Sequence, residues 1–210
     1  MQGDVYGATR FDNYYLSASL AASYYDVSTE RIVSLAGASS RLTASFGATG
    51  FGARIEGGRR FVVARMGVTP FVAVQAQTVQ TPAYGEQAVT GSAAFALAYG
   101  AQTTSRLRSE IGTTIDHYVG EMWGGSLSVY GRFAWAHHFW RDNSVNALFP
   151  VLPAAGFTVQ GATVAANAAL LATGAEYRFG SGMSVRGKLE TELAPSATSL
   201  AASATFRASW

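Results

Sequence analysis

Apolar and polar side chains alternate with a period of two along most of this 210-residue chain. That pattern constrains the fold more than any other feature, because only a strand sends successive side chains to opposite faces. Between Met183 and Leu193, the residues Met183, Val185, Leu189 and Leu193 share one face, and Ser184, Arg186, Lys188, Glu190 and Glu192 share the other. The last segment repeats the scheme, with Leu200, Ala202, Ala204, Phe206, Ala208 and Trp210 set against Ala201, Ser203, Thr205, Arg207 and Ser209. Earlier, Leu127, Val129, Phe133, Trp135 and Phe139 oppose Ser128, Tyr130, Arg132 and His138, while Leu107, Ile111 and Ile115 oppose Arg106, Arg108, Glu110 and Asp116. Leu171, Ala175, Tyr177 and Phe179 likewise oppose Glu176 and Arg178. No helical periodicity intervenes, so the chain reads as all-β.

Turn or loop composition marks Asp12-Asn13 and residues 26–45, 65–67, 82–91, 120–125, 141–159, 180–182 and 195–196. The alternating segments between them exceed the ~5–6 residues of an ordinary globular strand. They match the ~9–11 residues that cross a bilayer at a tilt. Composition sharpens the choice. Only 13% of residues are charged, about half the share of a soluble domain, and the polar face is mainly Ser, Thr, Gly, Gln and Ala with occasional Arg and Glu. A water-facing sandwich surface calls for Lys and Glu, whereas this mixture suits the lumen of a membrane barrel. Aromatics of the apolar face, Trp135, Phe139, Tyr177 and Phe179, fall near strand ends, where interface girdles sit. An open β-sandwich or lipocalin-like cup that binds sugar or lipid is the soluble alternative.

Other classes lose ground on the same residues. The longest charge-free run, 143–175, is broken by Pro150, Pro153, Gly156 and Gly161, so no spanning helix is predicted. Basic residues are scattered singly among acids, with a net charge of +2, and give no nucleic-acid stripe. The absence of cysteine removes disulfides, thiolate metal sites and Cys nucleophiles. His137, His138 and Asp142 suggest a metal site, but adjacent strand residues face opposite ways, and His137 reads as an interfacial residue. Asp116 and His117 are divided by the same alternation, and no G-x-S-x-G elbow accompanies them. No catalytic, metal or cofactor site is therefore expected. MQGDVYG lacks the basic and apolar regions of a signal peptide, so an exported product calls for a signal upstream of Met1.

Seven blocks in order carry a resemblance: F-G-A-R-I-E-G-G-R-R-F (Phe51 to Phe61), T-P-F-V-A-V-Q-A-Q (Thr69 to Gln77), A-Y-G-E (Ala83 to Glu86), R-S-E-I-G (Arg108 to Gly112), G-R-F-A-W-A-H (Gly131 to His137), F-P-V-L-P-A-A-G-F-T-V-Q-G-A (Phe149 to Ala162) and the terminal F-R-A-S-W. Together they resemble the C-terminal β-barrel translocator of autotransporters, the type V secretion proteins of Gram-negative bacteria. The resemblance covers essentially the whole chain, residues 1–210. It implies an antiparallel up-and-down barrel of about 12 strands in the outer membrane, inserted with the help of the barrel assembly machinery and exporting an N-terminal passenger. A free-standing porin-like or structural barrel without a passenger is the alternative function. The family's final-strand signal, alternating apolar residues ending in an aromatic, is matched by Leu200, Phe206 and Trp210, and β-augmentation is its physical mode.

Crossings are expected at residues 3–10, 14–25, 46–61, 68–79, 105–118, 126–140, 160–179, 183–194 and 197–210. Residues 91–102 also alternate, through Ala93, Phe95, Leu97, Tyr99 and Ala101. Counting from a periplasmic C-terminus agrees with the other turns only if they form an extracellular hairpin or strand extension, which leaves nine crossings and not ten. Single-chain bacterial barrels have even strand numbers, so about three strands, a pore-threading linker helix and the passenger are expected upstream. The lumen-facing charges on this reading are Arg54, Glu56, Arg106, Arg108, Glu110, Arg132, Glu176, Arg178, Arg186, Lys188, Glu190 and Glu192. They are expected to form cross-strand ion pairs, some contacting the linker or passenger. Gly52, Gly58, Gly112 and Gly174 also point inward, easing strand curvature or leaving wall space for a helix.

Overall fold

The computed structural model describes residues 1–35, 37–139, 144–161, 165–180 and 182–208. Its main sheet is one antiparallel path of nine strands: β1 (Gln2–Phe11), β2 (Tyr14–Leu35), β3 (Ala38–Arg59), β5 (Met66–Thr81), β9 (Gln102–Met122), β10 (Gly125–His138), β13 (Asn167–Phe179), β14 (Met183–Ala194) and β15 (Ala197–Ala208). A short β4 (Phe61–Val63) closes the hairpin into β5. The nine expected crossings coincide with these nine strands. Residues 91–102 lie outside the main path until Gln102 and hold a single 3-10 turn, Ala93–Phe95, and β8 (Ala98–Tyr99).

Several boundaries move. β2 and β3 are each 22 residues long and pair without a break from Tyr14↔Arg59 to Leu35↔Ala38, so residues 26–35 and 38–45 are a continued ladder where the composition predicts a loop. Asp26, Ser28, Ser34, Ser39, Ser40 and Ser45 are turn-formers by propensity, but the pairing partner overrides them. Residues 82–91 contribute β6 (Tyr84–Gly85) and β7 (Gln87–Thr90), and 141–159 contributes the hairpin β11 (Ser144–Phe149) and β12 (Leu152–Gln160). The crossing expected at 160–179 begins at Asn167, since Gln160 ends β12.

Register fixes the faces. Arg54 pairs with Gln75, Gln75 with Arg108, Arg108 with His138, and Glu192 with Leu170, so these side chains share the concave face. The convex face carries Val5, Leu16, Leu20, Phe51, Ile55, Val72, Val74, Ile111, Phe133, Trp135, Leu189, Leu200 and Phe206, each more than a third exposed. An outward apolar band over an inward polar surface is the arrangement of a barrel in lipid.

The two ends differ in the lengths of the connections between strands. One has only short ones, at residues 12–13, 64–65, 123–124 and between Phe179 and Met183; the other carries the β2–β3 extension and the long stretches that separate β5 from β9 and β10 from β13. Short turns mark the periplasmic end and long loops the extracellular one. At the periplasmic end Trp123 and Gly124 have φ of 50° and 77°, the two positive angles of a type I′ hairpin turn. The Tyr177 hydroxyl pins this turn by donating to the carbonyls of Met122 at 2.7 Å and Trp123 at 3.1 Å. At the other end β12, β11, β8 and β6 form a separate four-stranded sheet, and β7 pairs with the β3 extension.

Candidate functional site

The concave face between β2 and β14 gathers half of the twelve expected inward charges into one network. Arg54 Nη2 lies 2.7 Å from Glu56 and 2.6 Å from Glu110. Arg108 contacts Glu110 at 2.7 Å and Glu192 at 3.4 Å. Arg132 donates twice to Glu56, at 2.7 and 3.2 Å, and Tyr15 donates its hydroxyl to the same carboxylate at 2.7 Å. Gln75 accepts from Arg54 at 3.3 Å and Arg108 at 2.9 Å. Three arginines and three glutamates therefore neutralise one another. The Glu110 side chain is only 3% exposed, a burial that a lone carboxylate would not tolerate.

This network depends on curvature. Arg132 on β10 and Glu56 on β3 are separated by β9 and β5, about 14 Å along a sheet whose strands lie ~4.8 Å apart. Only a strongly curled sheet shortens that path enough for the two side chains to meet. Phe71 supports the reach. It sits on β5 beneath Arg132, with the guanidinium carbon 3.6 Å from its ring centroid, and packs with Ala73, Ala134, Tyr15 and Leu170 in a small inward core. A cation over an aromatic face gains favourable quadrupole interaction.

The remaining inward charges group separately. Glu176 accepts from Arg178 Nε at 2.8 Å and from Arg186 Nε at 2.9 Å. Lys188 pairs with Glu190 of its own strand at 2.5 Å, as Arg54 does with Glu56 and Arg108 with Glu110, so the ion pairs run along strands as well as across them. Arg106 shares the inner face by register with Gln77 and makes no ion pair among the described residues. Beside the network a cavity of about 440 Å³ is lined by Arg54, Arg108, Arg132, Lys188, Glu190 and Glu192 among others.

The inward glycines do not act alike. A Cβ at Gly52 would meet nothing closer than 3.8 Å, but at Gly58 it would lie 2.6 Å from the Pro70 carbonyl oxygen and the Tyr15 ring, at Gly174 2.5 Å from the Gly187 carbonyl oxygen and 2.6 Å from the Tyr130 ring, and at Gly112 closest to the Phe133 carbonyl oxygen and 2.6 Å from Ala134. Three of the four expected wall spaces are thus occupied by neighbouring backbone and side chains.

On the convex face Trp135, His137 and Phe139 form an aromatic row, with a tilted contact at 5.7 Å between the first two centroids and an edge contact at 4.7 Å between the last two. Tyr177 and Phe179 form an edge contact at 4.8 Å. In the β10–β13 pairing Trp135 meets Ala169 and Leu127 meets Tyr177, so the two aromatic groups occupy opposite ends of the strands. His137 bonds Asn167 on the outer side while His138 is buried on the inner one. Asp116 faces inward and pairs with Arg60; His117 faces outward, opposite Met66. Asp142 and Trp210 lie outside the described residues. Leu200 and Phe206 project outward from β15, whose residues are exposed along its length.

The extracellular sheet docks onto the inner face of the β3 extension. Phe46 stacks on Tyr84 at 3.9 Å and Tyr84 on Tyr99 at 4.6 Å. Arg31 grips Glu86 through Nε at 3.0 Å and Nη2 at 2.5 Å, and Glu86 also accepts from the Leu97 N–H at 2.9 Å. Burial alone would raise the Glu86 pKa, but these bonds hold it below the usual carboxylate range. Arg31, Glu86 and Tyr15 escape sequence reasoning because their partners are 55, 55 and 41 residues away. Tyr15 alone carries a signal, its inward parity with Ser17 and Ser19.

An apolar convex face, a polar concave face and unequal ends define a bacterial outer-membrane β-barrel protein. The autotransporter beta-domain family matches residues 1–190, and the chain belongs to it. This family is a translocator barrel of type V secretion in the outer membrane, with a passenger domain as its counterpart, and is not a catalytic domain. The match ends within β14, so the terminal F-R-A-S-W lies beyond it. No curated protein matches the sequence.

Proposed function

We propose that this domain exports its own passenger through the lumen bounded by the concave face. The observation that carries this reading is the self-neutralised network of Arg54, Glu56, Arg108, Glu110, Arg132 and Glu192 beside an open cavity. Such a wall presents hydrogen-bonding groups to an extended polypeptide or a linker helix without a net charge that would arrest it. Glu176, Arg178, Arg186, Lys188 and Glu190 extend the polar track, and Arg106 adds a cation that makes no ion pair among the described residues. Trp135, Phe139, Tyr177 and Phe179 anchor the two bilayer interfaces. Any catalytic activity of the parent protein resides in the passenger.

Among the described residues β1 and β15 do not pair with each other, and further strands complete the barrel on this reading. Leu200, Phe206 and Trp210 serve as the signal for the barrel assembly machinery. Outward parity of Leu200 and Phe206 and the exposed β15 edge support that role.

The test is passenger display by the complete protein. Charge reversal at Arg132 or Glu176 should slow the appearance of protease-accessible passenger while the folded barrel accumulates normally. Normal export by both variants overturns the role given to the network. A photo-crosslinking residue at Phe206 should capture the assembly machinery during insertion; no capture there, with capture elsewhere on β15, removes the signal role.

A further inference from the structure

The two arginines that end the third strand are treated differently by the fold. Arg60 pairs with Asp116 on the inner face. Arg59 faces out, in register with Tyr14, with its guanidinium carbon 5.0 Å from the Tyr14 ring centroid and 4.9 Å from that of Phe61. Both rings are exposed, as are Leu16, Val62 and Val63 nearby in sequence. Among the described residues Arg59 makes no ion pair and no hydrogen bond. Ring faces attract the cation but offer no lone pairs, so its N–H donors keep their full capacity for an oxygen acceptor. Arg65, in the turn of the same hairpin, adds a second cation that makes no ion pair among the described residues.

We propose that Arg59, held between Tyr14 and Phe61, is a binding site for the phosphodiester headgroup of an anionic phospholipid in the periplasmic leaflet. The ligand class follows from position and chemistry. A planar guanidinium matches two phosphate oxygens, and the flanking apolar side chains place it where headgroups, not protein carboxylates, are at hand. A free phosphate ion has the same oxygens but no acyl chains to lie against Leu16 and Val63. The inference rests on the interfacial reading of this rim.

The test uses the complete protein in neutral detergent and native mass spectrometry of bound lipid. Phosphatidylglycerol should be retained in preference to phosphatidylcholine, and Arg59→Gln should weaken retention about fivefold, the equivalent of ~1 kcal/mol for one basic side chain at a membrane surface. Phe61→Leu, which leaves the charge in place, should weaken it less. Heat-modifiable mobility checks that each variant folds, and Arg59→Lys serves if Arg59→Gln does not. Unchanged retention in a folded Arg59 variant, or equal retention of the two lipids, overturns the site; so does full displacement by inorganic phosphate, which marks a free-anion site. A nitroxide at Val63→Cys in phosphatidylcholine vesicles separates the two levels. Interfacial depth without lipid preference refutes the site alone, and full aqueous exposure refutes the rim reading with it.

Discussion

Arg132 bonds Glu56 across two intervening strands, lying 3.6 Å over Phe71 on the way. One contact thus ties the curvature of the sheet to the electrostatics of its inner wall. Arg132→Gln leaves Glu56 with Arg54 and Tyr15 as partners and should cost roughly 1.5–3 kcal/mol for the charged hydrogen bonds lost. Phe71→Leu should reproduce part of that loss. Urea unfolding of the complete protein measures both, and additive losses in the double variant would show that Phe71 does not act through Arg132.

The inner and outer faces predict opposite responses to one kind of change. Leu189 is outward and 52% exposed, so Leu189→Arg puts a charge in lipid at a cost of roughly 2–4 kcal/mol near the midplane. The neighbouring Lys188→Glu should leave insertion intact, since its side chain meets the lumen. Heat-modifiable mobility reads the folded fraction of each, and equal loss in both would reverse the face assignment.

Much of this is legible in the sequence because a strand converts parity into facing. Alternation alone divides Leu189 from Lys188, His137 from His138 and Asp116 from His117. It also gives the nine strands, whereas 91–102 alternate too and are set aside only by counting turns back from a periplasmic C-terminus. Parity says nothing about distance around a curved wall, so the meeting of Arg132 with Glu56 is invisible in it. Nor does it say where pairing stops. Residues 26–35 and 38–45 have the composition of a loop and remain a ladder because each strand supplies the other's hydrogen bonds. The glycines show the same limit. Their inward parity is readable, but the tyrosines that fill Gly58 and Gly174 come from other strands.

Gly174→Ala and Gly52→Ala should therefore differ sharply. The first drives a methyl against the Gly187 carbonyl oxygen at 2.5 Å and the Tyr130 ring at 2.6 Å, and the second meets nothing nearer than 3.8 Å. Overpacking of the first kind costs roughly 1–3 kcal/mol. Gly174→Ala should lower the urea midpoint by that amount and Gly52→Ala should change it little. Tyr130→Ala should relieve only the ring's share of the first, because the Gly187 carbonyl stays in place; no relief at all would assign the whole cost to that carbonyl.

The Arg31–Glu86 pair predicts a pH-sensitive extracellular sheet. The docked Glu86 has a lowered pKa, so its contribution is fully present above the ordinary carboxylate value of ~4.3. It is lost as pH falls through the lower, docked value. The chain has no cysteine, so nitroxides at Ser34→Cys and Ala94→Cys report this contact without interference. Their distance distribution should be narrow at pH 7 and broaden in acid below pH ~4. Glu86→Gln should broaden it at every pH. A distribution unchanged by acid or by Glu86→Gln would mean that the Phe46–Tyr84–Tyr99 stack holds the sheet alone.

The two edges of the main sheet carry the last prediction. Among the described residues β1 and β15 each present one row of N–H and C=O groups without a strand partner, and in lipid every unsatisfied group costs several kcal/mol. Sheet curvature cannot offset a term of that size, since closure requires hydrogen bonds along both edges. Residues 1–210 expressed alone should bind the assembly machinery yet fail to be released as a heat-modifiable barrel, and supplying about three further strands, which completes an even number, should rescue release. Recovery of residues 1–210 alone as a monodisperse, protease-resistant monomer in detergent would show instead that β1 and β15 join each other. The Arg132–Glu56 contact distinguishes the two forms. A nine-strand closure narrows the lumen around it, so Arg132→Gln would then impair folding far more than it does in the completed barrel.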